Sequence, residues 1–451
     1  MPDTTKYPKN ARRPLEGVRI ADVTVVWAGP YVTQLLGEWG AEIIRVEPIN
    51  RIQPYSRGGD SQVTKEQATA LAQQGQLLGA YPDLDPKEDR WNRSAGFNAH
   101  SRNKKSMACD ITSPEGKEAF IRLLKVSDCF IENNVPITIE KAGLTWEDVR
   151  EINPRLIMLR MPAFGLSGPY KYYRAFGTHV EGMIGHHLIR GYPNAGPDYT
   201  GDAFTADGLA GVLGAFAIVT ALRHRERTGE GQQIEMPLAE AFLPVLGEFI
   251  LDYTMNGRVT PPQGNRHPSH APHGVYPTAG DDEWIAIDVA SDEEFVALCG
   301  VLGAPTFAED ERFAASDERW KHRDVLDVEL GALTRSHDKE ALFRQLQAAG
   351  VNAAPVHNEV EALADEQLTA RDWFREINMP TVGTHRYPGY LFKMANTPDD
   401  VRLPPPLLGE HNEEIYLDLL GYSREELDAM IAKGLVGTTY PPELLAGALG
   451  L

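Results

Sequence analysis

Four basic side chains stand close to predicted strands of a sheet, and they are the first candidates for chemistry in this chain. Arg102, Lys104 and Lys105 lie together just before a predicted strand at Ser106–Asp110, and Arg45 stands near the end of an earlier strand. In open α/β sheets ligands collect at strand ends, and phosphate groups bind Arg and Lys there. The spacing favours an anion site, although solvated surface charge explains the same residues equally well.

A second candidate is a histidine-rich loop, in which His267, His270 and His273 recur every third residue. Pro268 and Pro272 interrupt the loop, so no helix can align the three imidazoles, and no spaced acidic or cysteine partner stands nearby. We therefore expect a loop that hydrogen-bonds through its imidazoles, and no metal. The sequence also lacks a G-x-x-x-x-G-K-[ST] phosphate loop and a G-x-S-x-G nucleophile elbow.

The amino-acid composition restricts the binding partners and the cellular compartment that we expect for this protein. The chain has 44 Lys and Arg against 64 Asp and Glu, a formal charge of -20, which gives no general attraction to nucleic acid or to anionic membranes. Its three cysteines are far apart, as in proteins of the reducing cytosol. The longest apolar run, Leu209–Leu222, is shorter than the roughly 18 to 20 residues that cross a bilayer. The glycines of this apolar run predict a buried, closely packed helix. From the cysteines and the length of the apolar run together, we expect a cytoplasmic protein.

The elements that must position these residues alternate between strand and helix. A β-rich run at Val18–Val26, a helical pattern at Tyr31–Trp39 and a strand at Glu42–Glu47 form a βαβ unit of about 30 residues. After a polar insertion at 48–99 the alternation resumes to Met161, which predicts a doubly wound α/β domain. The predicted division is a large α/β domain (1–220, with the insertion), a helical connection (221–275), a smaller α+β domain (276–385) and a return to the large domain (386–451).

Short motifs also occur in a defined order along nearly the whole chain. They are Pro14-Leu15-Glu16-Gly17-Val18-Arg19, Gly40-Ala41-Glu42-Ile43-Ile44-Arg45-Val46-Glu47, Asn103-Lys104-Lys105-Ser106, Asn153-Pro154-Arg155-Leu156-Ile157, Gly201-Asp202, Thr228-Gly229-Glu230-Gly231-Gln232, Gly264-Asn265-Arg266 and Leu408-Gly409-Glu410-His411. In these motifs the chain resembles the family III CoA-transferases, the group that includes formyl-CoA:oxalate and carnitine CoA-transferases and the α-methylacyl-CoA racemases.

The resemblance implies a fold, a substrate and several binding residues. Members have a doubly wound large domain, a smaller second domain and ring-like chains interlocked in a dimer, and their substrate is a coenzyme A thioester. By position, Val26 and Trp27 correspond to residues near the pantetheine or adenine portion, and Lys105 corresponds to a cation at a CoA phosphate. Asp202 falls in a Gly-Asp step that orients backbone near the thioester.

The resemblance also implies an aspartate nucleophile, which this chain lacks at the corresponding position. In the family the carboxylate attacks the thioester, which gives a mixed anhydride and then an aspartyl-CoA thioester before CoA passes to the acceptor acid. In this sequence Gly177 stands at that place, and glycine supplies neither a nucleophile nor a base.

Several hypotheses account for the missing carboxylate. In the one we favour, the chain is a subunit of a heteromer whose related partner carries the aspartate, as in transferases that act on aryl-substituted succinates. Alternatively Glu181, on the same helix face as Gly177, is the nucleophile of a self-sufficient enzyme. In a racemase or isomerase, His179 would abstract an α-proton. The last hypothesis is a non-catalytic CoA-binding scaffold. Independently of these hypotheses, Glu181 could be a structural carboxylate that is buried and paired with Arg174 or Arg190.

Overall fold

The computed structural model describes residues 11–53, 57, 63–75, 80–199 and 204–446, and Asp202 lies outside these described residues. The chain forms two compact units. The first comprises Met1–Ile184, Asp202–Leu251 and Asp372–Leu451, and the second comprises Gly185–Gly201 and Asp252–Arg371.

A six-stranded parallel sheet in the order β3-β2-β1-β4-β5-β6 forms the centre of the first unit. Its strands are β1 (Arg19–Asp22), β2 (Glu42–Glu47), β3 (Lys104–Ala108), β4 (Cys129–Glu132), β5 (Ile157–Arg160) and β6 (Gln232–Glu235). The predicted α/β fold with a parallel sheet is confirmed. The strand order reverses between β1 and β4, and ligands of such sheets bind in the crevice at the carboxyl ends of the strands at this point.

The helices of the first unit connect and cover these strands. They are α1 (Ala28–Glu38), α2 (Lys65–Gln73), α3 (Ala95–Ala99), α4 (Pro114–Lys125), α5 (Pro136–Ala142), α6 (Trp146–Ile152), α7 (Gly177–Met183), α9 (Thr205–Thr228), α10 (Leu238–Phe242), α18 (Arg424–Ala432) and α19 (Pro442–Ala446). An antiparallel pair, β10 (Arg375–Met379) and β11 (Gly383–Tyr387), and a π-helical turn at Glu414–Leu419 belong to the same unit. Helix α8 (His186–Ile189) falls in the second unit.

Local sequence explains several of these boundaries. Helix α4 begins at Pro114, because the Ser113 hydroxyl accepts the Gly116 N–H at 3.1 Å and proline is favoured at the first helical position. The helical segment that begins at Leu238 is divided into α10, a 3₁₀ turn that contains Pro244, and α11 (Gly247–Asn256), since proline has no N–H to donate to a helical ladder.

Helix α9 packs closely against α1, as its glycines predict. A Cβ on Gly211 would lie 2.4 Å from Cδ1 of Tyr31, and a Cβ on Gly214 would lie 2.6 Å from Cγ2 of Val32, so only glycine permits this approach. Among the described residues, α9 is the one helix that passes a length and apolarity test for membrane spans. Only 44% of its most apolar stretch is buried. A single such helix is weak evidence for a membrane, because core helices pass the same test.

The second unit is built on a three-stranded antiparallel sheet in the order β7-β8-β9. Its strands are β7 (His273–Pro277), β8 (Trp284–Asp288) and β9 (Asn352–Pro355), and its further helices are α12 (Asp292–Val301), α13 (Ser316–Lys321), α14 (Arg323–Thr334), α15 (Lys339–Ala348), α16 (Glu359–Ala364) and α17 (Glu366–Ala370). A separate apolar core, which includes Phe295, Leu330 and Leu346, lies within this unit.

Candidate functional site

Two asparagines that follow β4 hold the loop between β1 and α1. The Asn133 side chain accepts the Val25 N–H at 2.8 Å and donates to the Val25 carbonyl at 2.8 Å, and Asn134 Nδ2 donates to the Val23 carbonyl at 3.1 Å. Both asparagines lie where the strand order reverses, so these hydrogen bonds fix the loop at the crevice of the sheet.

Aromatic side chains gather beside this loop. The Trp27 ring lies 5.0 Å from the His100 ring and 4.9 Å from the Phe204 ring, and the Tyr31 and His100 rings are 6.0 Å apart. Burial lowers the pKa of His100 to about 4, so its imidazole is neutral at physiological pH. Val26, with φ at 65°, and Trp27 are both partly exposed. The binding roles of Val26 and Trp27 stay predictions.

Lys104 is fully buried instead of standing on an exposed strand end. Its Nζ donates to the Pro30 carbonyl and to Thr33 Oγ1, each at 2.8 Å, and lies 3.4 Å from Oδ2 of Asp22. Burial lowers the pKa of Lys104 to about 8, although the Asp22 carboxylate opposes this shift. The Lys104 ammonium group therefore forms hydrogen bonds with buried groups inside the first unit.

Arg45 and Arg102 are buried in a similar way. Arg45 Nε lies 3.2 Å from Oε2 of Glu47, and Arg102 Nε lies 2.8 Å from Oε1 of Glu38. Burial alone would lower the pKa of Arg45, but Glu47 outweighs it and the pKa is raised. The structure thus places these arginines in internal ion pairs, neither on solvated surface nor in an open anion site, and a phosphate role for them stays a prediction.

Lys105 is the partly exposed member of the predicted cluster. Its Nζ lies 2.7 Å from Oε1 of Glu42 and 2.5 Å from Oε1 of Glu414. Burial lowers the pKa of Lys105, but Glu414 and Glu42 outweigh it and the pKa is raised, so the side chain stays positively charged. A phosphate group that binds Lys105 would have to compete with these two carboxylates.

A carboxylate occupies the space beside Gly177 at the crossing of α7 and α9. Gly177 is buried at the start of α7, and a Cβ built on it would lie 2.0 Å from Oδ2 of Asp207. Atoms that are not bonded cannot approach so closely, so a side chain at position 177 would require the Asp207 carboxylate to move from its observed position. The carboxylate beside Gly177 therefore belongs to the third residue of α9.

Glu181 joins the same crossing from one turn farther along α7. It is 2% exposed, and its Oε1 accepts the Ala206 N–H in the first turn of α9 at 3.0 Å. His179 is exposed, and its Nδ1 accepts the Phe176 N–H at the start of α7 at 3.2 Å. The structure therefore brings Glu181 to the first turn of α9, whereas His179 caps its own helix. The chemical roles of both remain predictions.

Sequence reasoning missed Asp207, and one signal would have found it. Asp207 is the only charged residue between Thr205 and Leu222, a stretch that is otherwise apolar or neutral. A lone acid in the first turn of an apolar helix is favoured there by the partial positive charge of the helix N-terminus. His100 and Phe204 were missed as well, because only tertiary packing brings them to Trp27.

The histidine loop lies in the second unit and forms the expected hydrogen bonds. The His270 Nε2 atom lies 2.7 Å from Oδ1 of Asp288, His267 Nδ1 accepts the Ser269 N–H at 3.2 Å, and the His267 and His270 rings stack 3.8 Å apart. Within the described ranges, no group of three or more His, Cys, Asp or Glu side chains is arranged to hold a metal ion.

Known proteins resemble this chain in sequence and in fold. The pattern described as CoA-transferase family III matches residues 15–412. The chain is 32% identical to the succinyl-CoA–D-citramalate CoA-transferase of Chloroflexus aurantiacus, over 94% of this chain and 98% of that relative. It is 31% identical to the succinyl-CoA–L-malate CoA-transferase beta subunit of the same organism, over 94% and 98%. A crystal structure of a CAIB/BAIF family protein from Brucella suis aligns with a TM-score of 0.75 at 28% identity, over 90% of this chain and 100% of that one.

Proposed function

The chain belongs to CoA-transferase family III, and from this membership we propose that it moves coenzyme A between a dicarboxylic acyl-CoA and a second carboxylic acid. The named substrates of the two relatives, succinyl-CoA with citramalate or malate, support this substrate class. The observation that carries the proposal is the pair of buried carboxylates, Glu181 and Asp207, at the crossing of α7 and α9. Exchange of CoA between two acids needs an enzyme carboxylate that forms an anhydride.

The test is a transfer assay with the purified chain alone. It is incubated with succinyl-CoA and, separately, with D-citramalate, L-malate or glutarate, and the new thioester is identified by mass spectrometry. We expect a new thioester with at least one acid. If no acid yields a thioester, even after a related subunit is added, the proposed function fails.

A heteromer is the second candidate. The relative named as a beta subunit and the glycine at position 177 favour it. In that case the transfer would appear only when a related chain with an aspartate at this position is added. The racemase hypothesis is tested in deuterated water, where it alone requires exchange of the α-proton, with His179 as the base.

We propose that a second chain, identical or related, covers an apolar face of the first unit in an interlocked dimer. On α9 the side chains of Val212, Phe216 and Val219 follow helical spacing and are exposed, Phe216 by 70%. On α11, Phe249 and Ile250 are exposed as well. A soluble oligomer would bury such a face, which also accounts for the apolarity of α9 without a membrane.

Phe216→Glu is expected to shift the chain from dimer to monomer, because a charge would be buried at the centre of this face. Size-exclusion chromatography with light scattering measures the mass. Val328→Glu, at an exposed position on α14 of the second unit, is the control and should keep the native mass. A dimer that persists in Phe216→Glu contradicts the proposed interface.

Asn133→Ala is expected to raise KM for the acyl-CoA about tenfold and to lower the free energy of unfolding by about 1–3 kcal/mol, because Val25 loses both of its side-chain hydrogen bonds. Asn153→Ala is the matched control. Asn153 Nδ2 also donates to two backbone carbonyls, at 3.0 Å each, but lies after α6. The control should lose stability while keeping the native KM; equal KM values in both variants would refute a role of the loop in binding.

Glu181→Gln is expected to keep activity within about tenfold of the native rate, since the amide oxygen can still accept the Ala206 N–H. Glu181→Ala should lose about 1–3 kcal/mol of stability, because it leaves that buried N–H without its acceptor. Steady-state rates and urea unfolding measure both effects. A complete loss of turnover in folded Glu181→Gln would instead identify Glu181 as the nucleophile.

A further inference from the structure

We propose that His100 selects 2-hydroxy acids as the acceptors of CoA, because its Nε2 atom accepts a hydrogen bond from the hydroxyl group of the acid. The inference rests on the proposed function and deepens it, since it names the class of acid that the transfer prefers. His100 takes part in no covalent step. Its role is to select and position the acid.

The end of a short helix fixes the tautomer of the His100 ring. His100 directly follows α3, and its Nδ1 atom lies 3.1 Å from the carbonyl oxygen of Gly96, four residues earlier. A carbonyl oxygen can only accept a hydrogen bond, so Nδ1 carries the proton. The imidazole is neutral, because burial lowers its pKa to about 4. The other ring nitrogen, Nε2, is therefore a hydrogen-bond acceptor.

Two polar ring atoms in this aromatic group have no partner within the part of the chain that the structure describes. They are Nε2 of the partly exposed His100 and the buried Nε1 of Trp27, and the two rings lie 5.0 Å apart. Buried N–H groups without a partner are rare in folded proteins. A hydroxyl group can donate to the histidine nitrogen and accept from the indole N–H, so it suits both atoms.

The aromatic rings connect His100 to the start of α9, where the buried carboxylates lie. The Trp27 ring lies 4.9 Å from the ring of Phe204, which directly precedes α9. The next turn holds Ala206, whose N–H is bound by Glu181, and then Asp207. An acid that reacts beside these carboxylates carries its 2-hydroxyl group on the carbon next to the reacting carboxyl group. That hydroxyl is therefore the part of the acid closest to the reacting end that can donate to His100.

The charges around His100 favour a hydroxyl group over a second carboxylate. An ionised carboxylate has no hydrogen to donate and would face the lone pair of Nε2. The neighbouring cations, Lys104 and Arg102, are paired with Asp22 and Glu38. An amide N–H of the CoA arm is the other donor that the substrates carry, and the experiment below distinguishes it from the hydroxyl group.

Paired acids that differ only in the hydroxyl group test the inference on the full chain, with a related subunit added if the chain alone is inactive. Succinyl-CoA is the donor, and the pairs are 2-hydroxyglutarate with glutarate and D-citramalate with 2-methylsuccinate. Mass spectrometry measures each new thioester. We expect kcat/KM to be at least about tenfold higher for the hydroxy acid of the faster pair, the effect of one hydrogen bond.

His100→Asn should abolish this preference. The asparagine amide can still donate to the Gly96 carbonyl but has no atom at the place of Nε2. We expect kcat/KM to fall about tenfold for the hydroxy acid and less than about threefold for its partner. His100→Gln, whose amide oxygen can replace Nε2, should retain the preference. His322→Asn is the matched control, because Nδ1 of His322 also lies 3.0 Å from a carbonyl four residues earlier, that of Glu318, at the end of α13.

Equal kcat/KM values of the native chain for both members of a pair would overturn the inference and leave the transferase function standing. An equal loss for both acids in His100→Asn, with weaker binding of CoA, would also overturn it, in favour of an amide of the CoA arm. If CoA passes to none of the acids even with a related subunit present, the proposed function fails together with the inference.

Discussion

Asp207→Asn is expected to lower the rate of CoA transfer roughly 10³-fold or more, because an amide cannot form the anhydride with the acyl group. Asparagine has nearly the shape of aspartate, so the fold and the dissociation constant for CoA should change little. Steady-state kinetics with succinyl-CoA and calorimetric CoA binding measure the two effects. Asp198→Asn, an exposed acid outside the crossing, is the control and should keep the native rate.

A variant that carries its carboxylate at residue 177 instead of residue 207 distinguishes a chemical role of Asp207 from a structural one. In the double variant Gly177→Asp/Asp207→Ala, the atoms that block a side chain at 177 are removed, and the next neighbour is the backbone N of residue 207 at 3.5 Å, an ordinary contact. We expect the double variant to transfer CoA at least tenfold faster than Asp207→Ala. Gly177→Asp alone should be impaired, since two carboxyl groups would collide. A double variant no more active than Asp207→Ala would argue against an interchangeable carboxylate.

Arg57→Met is expected to lower the free energy of unfolding by about 3–5 kcal/mol, because it leaves the buried Glu47 carboxylate without its closest cation. Arg57 lies 2.6 and 2.7 Å from the two oxygens of Glu47, and Arg45 lies at 3.2 Å. Urea unfolding at pH 7 measures the loss. Arg223→Met breaks an exposed pair with Glu226 and should cost no more than about 1 kcal/mol. Equal losses in both variants would contradict the buried network.

The same network predicts how stability depends on pH. Burial raises the pKa of Glu47, but Arg57 and Arg45 outweigh it and lower the pKa from 4.5 to about 2. A carboxyl group whose pKa is lower in the folded than in the unfolded state stabilises the fold above the unfolded pKa. This contribution is therefore complete above about pH 4.5 and is lost as the pH falls towards 2. In Arg57→Met this loss on acidification should be smaller, because the pKa of Glu47 in the folded protein would lie closer to its unfolded value.

The sequence predicts the elements of the large unit well, because their signals are local. Strand β2 has the predicted bounds, and Ser113 and Pro114 mark the start of α4. The partners of buried charges are not local. Lys104 and Asp22 are 82 residues apart, so the spacing of the basic residues identified a cluster but not its burial within the sheet.

The candidate site likewise has features that the local sequence predicts and one feature that it does not predict. Gly177 and Glu181 share helix α7, as their spacing of four residues predicts. The absence of an aspartate at 177 is plain from the sequence and leads directly to the hypothesis of a second subunit. That a carboxylate from α9 occupies the vacated space depends on how α7 crosses α9, and this crossing becomes visible only in three dimensions.

The most direct test of the central claim is a transfer assay with the chain expressed and purified alone, in which the new acyl-CoA is measured by mass spectrometry. If a carboxylate of this chain is the nucleophile, the chain should convert succinyl-CoA and a second dicarboxylic acid into succinate and the new thioester without any other protein. Transfer that appears only after addition of a related subunit with an aspartate at the position of Gly177 would contradict the account.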